Sequence, residues 1–177
     1  MGKTIKKIWN WISGVLVGIV VLLAIALVGV RLVGLKPYVV LSGSMEPTYH
    51  VGSLIYVKPV DYKKLKVGDP ITYMVSQDTI VTHRIIEVLV DEEEPNTIRY
   101  FTQGDANAVA DGSSVHYKNI IGKPVFSIPY LGYISNYIQH PPGMYVAIAA
   151  GAILILLVFL PDIFADDEKE KKKAKQK

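Results

Sequence analysis

Hydrophobic and polar positions alternate in three different ways along this chain. Ile12 to Val30 runs about nineteen residues without a charge. As a helix it is long enough to cross a hydrocarbon core of about 30 Å. Lys3, Lys6 and Lys7 precede it with Trp9 and Trp11, and Arg31 and Lys36 close it. Flanking lysines place that end in the cytoplasm, and tryptophans suit the headgroup layer. The apolar core exceeds the 7–15 residues usual for a cleavable signal peptide, so the pattern predicts a retained anchor. From Pro37 to about Tyr137 the pattern shortens to β-rich runs. Strands are predicted at Ser53–Val57, Ile71–Val75, Thr79–Val90 and Thr97–Thr102. Ser76-Gln77-Asp78 is a turn, and the acidic run Asp91–Asn96 is a solvated loop that closes a hairpin. Ile120–Tyr133 reads as strand pieces broken by Gly and Pro. Gly143 to Leu160 is a second apolar run of about eighteen residues, followed by Pro161, an acidic cluster and a lysine-rich end.

The expected architecture is therefore mainly β: an antiparallel β domain flanked by N- and C-terminal transmembrane helices. Its segments are a cytoplasmic N-terminus at 1–11, a transmembrane helix at 12–33, an extracytoplasmic β-rich domain at 34–142, a second transmembrane helix at 143–161 and a charged cytoplasmic tail at 162–177. Both termini then lie inside, which two crossings require. The alternative for the second run is an apolar helix packed on the domain or lying at the interface.

Composition narrows the chemistry. Half of the 177 residues are hydrophobic, and the excess sits in the two end runs. No cysteine is present, which excludes disulfides, thiolate nucleophiles and cysteine-based metal sites. The net charge is +3, but residues 34–142 hold nine Lys/Arg and eleven Asp/Glu, a net of −2. A nucleic-acid partner is not expected of a domain without a basic surplus. The four histidines have neither HxH nor HExxH spacing, and no Gly-rich phosphate loop is present, so no metal and no cofactor are expected.

The candidate chemistry centres on Leu41-Ser42-Gly43-Ser44-Met45-Glu46-Pro47-Thr48. Gly43 and Pro47 disfavour a regular element through Ser44, leaving its hydroxyl on a bend. A serine hydroxyl becomes a useful nucleophile only when a base takes its proton. Read by itself, SGS is an ordinary polar turn. His83, in Val81-Thr82-His83-Arg84-Ile85, is the candidate base, and it shares a strand face with Val81 and Ile85. Among apolar neighbours a histidine can equally be structural. Asp105 and Asp111, in Gly104-Asp105-Ala106-Asn107-Ala108-Val109-Ala110-Asp111, both follow the returning strand. A hairpin of Thr79–Val90 with Thr97–Thr102 would bring either carboxylate near His83, where it could fix the imidazole tautomer. The physical reading leaves the choice between them open. Ser42 is the candidate to help hold a developing oxyanion. His50, His116 and His140 are weaker candidates, by position.

In order and content these motifs resemble those of type I signal peptidases. The similarity is to the subtype of the endoplasmic reticulum, archaea and some Gram-positive spore-formers, in which histidine replaces the bacterial lysine base. The resemblance runs from the anchor to about Tyr133 and implies a membrane-bound serine endopeptidase on that family's β fold. Ser44 matches the nucleophile, His83 the general base, Asp111 the aspartate placed with them, Asp105 a second aspartate for activity or support, and Ser42 the oxyanion position. Ala106 stands where many relatives carry asparagine, and Pro70 where an aliphatic residue is common. Implied partners are signal peptides of exported precursors, cut after small residues, the lipid bilayer, and the translocation machinery. The rival readings are a tethered β domain that binds peptides without cutting them, and a Ser-Lys hydrolase using Lys58, Lys118 or Lys123.

Overall fold

In a computed structural model, residues 3–90, 97–156 and 158 are described. The predicted loop at 91–96 and the tail at 162–177 fall outside them. Packing divides the chain into two units, one of residues 27–136 and one of the two ends.

The unit 27–136 is built on a seven-stranded, mainly antiparallel sheet. Its strands are β1 (Lys36–Val39), β2 (Leu54–Lys58), β3 (Pro70–Ser76), β4 (Thr79–Val90), β5 (Ile98–Gln103), β6 (Val115–His116) and β7 (Ile120–Ile128). Across the sheet they run β1-β2-β7-β3-β4-β5-β6. The order follows from antiparallel pairing of the chain neighbours β1–β2, β3–β4, β4–β5 and β5–β6, plus the return of β7 between β2 and β3. Ser76 to Thr79 closes the β3–β4 hairpin, with Ile71 opposite His83 and Thr72 opposite Thr82. In β4–β5, Arg84 faces Gln103 and Val90 faces Ile98. An extra residue between Ile85 and Glu87 shifts that register, a bulge that alternation of side chains does not disclose.

Alternation decides what the sheet buries. Ile71 and Tyr73 on β3, Ile85 on β4 and Tyr100 on β5 join Leu65 and Val115 in one core cluster. Burial of each large apolar side chain contributes about 1.5–3 kcal/mol relative to exposure. Pro70 begins β3, a place where its missing N–H costs no interior ladder bond. Pro37 lies in β1, an edge strand that was not evident from the sequence.

The stretch predicted as broken strand pieces up to Tyr133 divides differently. β7 ends at Ile128, Tyr130 turns the chain with φ 62°, and Leu131–Gln139 forms α2. Leu131 and Ser135 point inward from α2. A Cβ on Gly132 would come within 2.5 Å of Ser53 O, so only glycine allows this close approach of helix to backbone.

In the other unit, α1 spans Lys3–Leu27, and its segment Lys7–Leu27 is long and apolar enough to cross a membrane. Near the C-terminus, Gly143–Leu156 is helical (α3). Among the described residues the fold is a mainly antiparallel β domain with one N-terminal helix of spanning length.

Candidate active site

The site is assembled from three segments far apart in sequence. Residues 41–50 form a series of turns between β1 and β2. Glu46 N–H donates to Gly43 O at 3.0 Å, and Tyr49 N–H to Met45 O at 2.9 Å. The Met45 side chain is buried, pinning the turn beside the half-buried Ser44. The second segment is β4, which carries His83 on its core-facing side. The third is the loop after β5, which doubles back so that Asp111 N–H donates to Thr102 O at 2.8 Å.

These segments bring an alcohol, an imidazole and a carboxylate into line. His83 Nε2 lies 3.1 Å from Ser44 Oγ, and His83 Nδ1 lies 2.7 Å from Asp111 Oδ2. An ionised carboxylate only accepts, so Nδ1–H donates to Asp111. Nε2 is then the unprotonated nitrogen and accepts from the Ser44 hydroxyl. Asp111 Oδ2 also accepts from Thr102 Oγ1 at 2.6 Å and from the Tyr73 hydroxyl at 3.1 Å. Burial alone raises the Asp111 pKa. The bonds from Thr102 and His83, the His83 charge and the Tyr73 bond outweigh it and leave the carboxyl below its ordinary value. Tyr73 moves the other way, to about 12, first through burial and then through the Asp111 charge, opposed by Thr102. Ser42 Oγ is 3.4 Å from Ser44 Oγ. Together these groups meet the chemical requirements for turning a hydroxyl into a nucleophile.

Asp105 is placed differently. It accepts from Arg84 Nε at 2.8 Å through one oxygen and from an Arg84 terminal nitrogen at 2.6 Å through the other. Thr48 Oγ1 donates to it at 2.5 Å. Arg84 also donates to Gly68 O at 2.8 Å. The Arg84 bonds are the largest cause of the lowered Asp105 pKa, against burial and with help from Thr48. Asp105 thus ties the turn carrying Thr48 to the strand carrying His83. The same loop touches Ser44 directly, because Ala106 N–H donates to Ser44 O at 2.9 Å. A Cβ on Gly104 would lie 2.5 Å from that oxygen.

Tyr73, Thr102, Arg84, Thr48 and Gly104 were not singled out in the sequence. A signal existed for Thr102: it lies two residues after the core residue Tyr100, so β5 turns a hydroxyl inward, where it needs a partner. Arg84 was visible only as the neighbour of His83.

The remaining histidines lie elsewhere. His50 Nδ1 contacts Glu46 Oε2 at 2.5 Å, His116 Nδ1 accepts from Lys118 N–H at 3.1 Å, and His140 follows α2. Lys123 pairs with Asp69 at 2.5 Å, and Lys118 lies 5.8 Å from the Tyr117 ring centre. Among the described residues, no group of three or more His, Asp or Glu is placed to hold a metal ion.

Ser44 and His83 open into a cavity of about 560 Å³ whose walls include Tyr38, Met45, Ile55 and Val81. No lysine lines it. Two strand edges border it. β1 is the outermost strand, and β5 covers β4 only from Arg84 onward. Among the described residues, Thr79–His83 therefore pairs with β3 alone.

The family model for signal peptidase, peptidase S26, matches residues 8–124. Signal peptidase I W of Bacillus subtilis (strain 168) is 37% identical over 123 residues, covering 65% of this chain and 63% of that protein. The signal peptidase complex catalytic subunit SEC11C of Homo sapiens is 30% identical over 128 residues, covering 67% of this chain and 66% of its own length. The SEC11C of Rattus norvegicus matches to the same extent. The match spans a little under two thirds of each of these relatives.

Proposed function

Because the chain belongs to the signal peptidase family, peptidase S26, we propose that it is a membrane-bound serine endopeptidase that removes signal peptides from exported precursors. The observation that carries this reading is the relay from Ser44 Oγ through His83 to Asp111, at 3.1 and 2.7 Å.

Ser44 Oγ attacks the carbonyl carbon at the end of the signal peptide as its proton passes to His83 Nε2. The carbonyl oxygen takes up the negative charge, and the Ser42 hydroxyl and Ser44 backbone N–H are the donors that hold it. One such donor typically contributes about 3–4 kcal/mol to the transition state. The C–N bond then breaks, and His83 gives its proton to the departing amine. Water, deprotonated by the same nitrogen, attacks the acyl-enzyme and releases the signal peptide with Ser44 regenerated. Asp111 keeps Nδ1 protonated and stabilises the imidazolium, while Tyr73 and Thr102 hold Asp111.

The cavity suits the acyl side of the substrate. Its apolar walls accept small side chains, and the open edges of β1 and of Thr79–His83 offer main-chain partners to an extended peptide. Such pairing gives affinity without reading side chains. The helix Lys7–Leu27 anchors the enzyme in the bilayer where its substrates are. We place the N-terminus in the cytoplasm, the β domain outside it, and 143–161 as a second crossing that returns the tail to the cytoplasm. That the B. subtilis and mammalian relatives are signal peptidases supports this substrate class. The word "complex" in the name of the latter supports an association with other subunits, such as those of translocation.

Replacing Ser44 and His83 separately by alanine tests the proposal, with cleavage of a precursor in detergent as the readout. Both variants are expected to lose at least about 10³-fold in kcat. Undiminished cleavage by either one overturns the assignment.

A further inference from the structure

A second concavity, of about 360 Å³, lies where the anchor gives way to the β domain. Arg31, Gly34, Leu35, Lys36, Pro37 and Tyr38 line it. Arg31 belongs to a short 3-10 helix, Gly29–Val33, and Lys36 and Tyr38 to β1. Two residues apart on a strand, Lys36 and Tyr38 share a face. Gly34, with φ 79°, turns the chain so that Arg31 is brought back to them. Burial raises the Tyr38 pKa, and the Arg31 charge pulls it partly back, so the guanidinium is near the phenol. Among the described residues neither Arg31 nor Lys36 has a carboxylate partner. Beside them, Leu32 is 92% and Val33 72% exposed.

We propose that this concavity binds the phosphate of an anionic phospholipid headgroup. Arg31, Lys36 and Tyr38 line it together, and a guanidinium fork, an ammonium and a phenol O–H are each donors that a phosphate accepts from. The location favours a lipid as the source. Arg31 comes four residues after Leu27, the end of the apolar helix. Four residues span at most about 14 Å, which keeps Arg31 within reach of the headgroup layer when α1 crosses the bilayer. The exposed Leu32 and Val33 give acyl chains an apolar neighbour beside the cations. The proposal rests on the membrane anchoring of α1 proposed above; Tyr38 also walls the cavity beside Ser44, whereas Arg31 and Lys36, the residues varied below, take no part in the proposed chemistry.

The test uses the full chain with Ser44→Ala, so that binding is measured without turnover. The protein is placed in bilayers of phosphatidylcholine containing increasing phosphatidylglycerol, and the lipid retained on it is identified by native mass spectrometry. Phosphatidylglycerol is expected to be retained in preference to phosphatidylcholine. The double variant Arg31→Gln/Lys36→Gln should weaken that retention about thirtyfold, about fivefold for each cation near the membrane surface. Arg31→Lys, which keeps the charge but not the fork, should lose less. Equal retention of both lipids, or of phosphatidylglycerol by wild type and double variant, overturns the proposal. So does full displacement of the lipid by inorganic phosphate, which would make the site one for a soluble anion.

Discussion

His83 and Arg84 are neighbours on one strand, and each is paired with an aspartate from the loop after β5. The pairs differ in what they can transmit. The His83 and Asp111 side chains are 11% and 21% exposed, and their chain of bonds ends at the Ser44 hydroxyl. The Arg84 and Asp105 side chains are 33% and 14% exposed, and their bonds end at Thr48 and the Gly68 carbonyl. An imidazole passes a proton, whereas a guanidinium is always charged and passes none. Under the proposed function, one pair is placed for chemistry and the other for holding the turn in position. The strand makes the division, because successive side chains point to opposite faces.

Breaking the pairs separately should separate these roles. The largest effect is expected for Asp111→Asn, which leaves the shape but removes the charge that sets the tautomer. kcat should fall by about 10³–10⁴ with KM little changed, measured on a precursor peptide. A fall no greater than that of Asp105→Asn would put both aspartates in the same role. Gly104→Ala pushes a Cβ toward Ser44 O and should lower kcat by about a hundredfold through misplacement of the nucleophile. Wild-type rates in that variant would mean that the loop does not position Ser44. Asp105→Asn should cost about tenfold in kcat and about 1–2 kcal/mol in stability by urea unfolding, the latter figure being reduced for solvent exposure. The smallest effect is expected for Tyr73→Phe, a few-fold in kcat, because Thr102 and His83 still donate to Asp111.

Acid sharpens the same comparison. Both carboxyls lie below their ordinary value of 3.8 in the folded protein. Their contribution to stability is thus present above the unfolded pKa and is lost as pH falls through the lowered folded pKa. The stability gap between wild type and Asp105→Asn should be full near neutrality and close below about pH 3.8. A gap that does not change with pH would mean that the charge on Asp105 contributes nothing.

Much of this arrangement was legible in the chain. The runs of β-branched residues marked β2 to β5, and period two put His83 on the same side as Val81 and Ile85. The hairpin reading brought both aspartates to the end of β4 near His83. Which of them faces the imidazole was not legible, because it depends on how the loop 104–111 folds back onto Thr102. Edge strand β1 was hidden by Pro37, and α2 by a short stretch in which glycine and tyrosine interrupt any clear period. The Arg84–Asp105 clasp needs three-dimensional placement, since the two residues are 21 apart in sequence.

The carbonyl of Ser44 rests on Ala106, and the imidazole beside it is oriented by Asp111. Ser44, His83 and Asp111 are separated by 39 and 28 residues of chain. A growing polypeptide therefore carries the serine and histidine before it has the loop that holds them in line. A chain ending before Gly104 is expected to be silent towards any precursor, however well its first strands form.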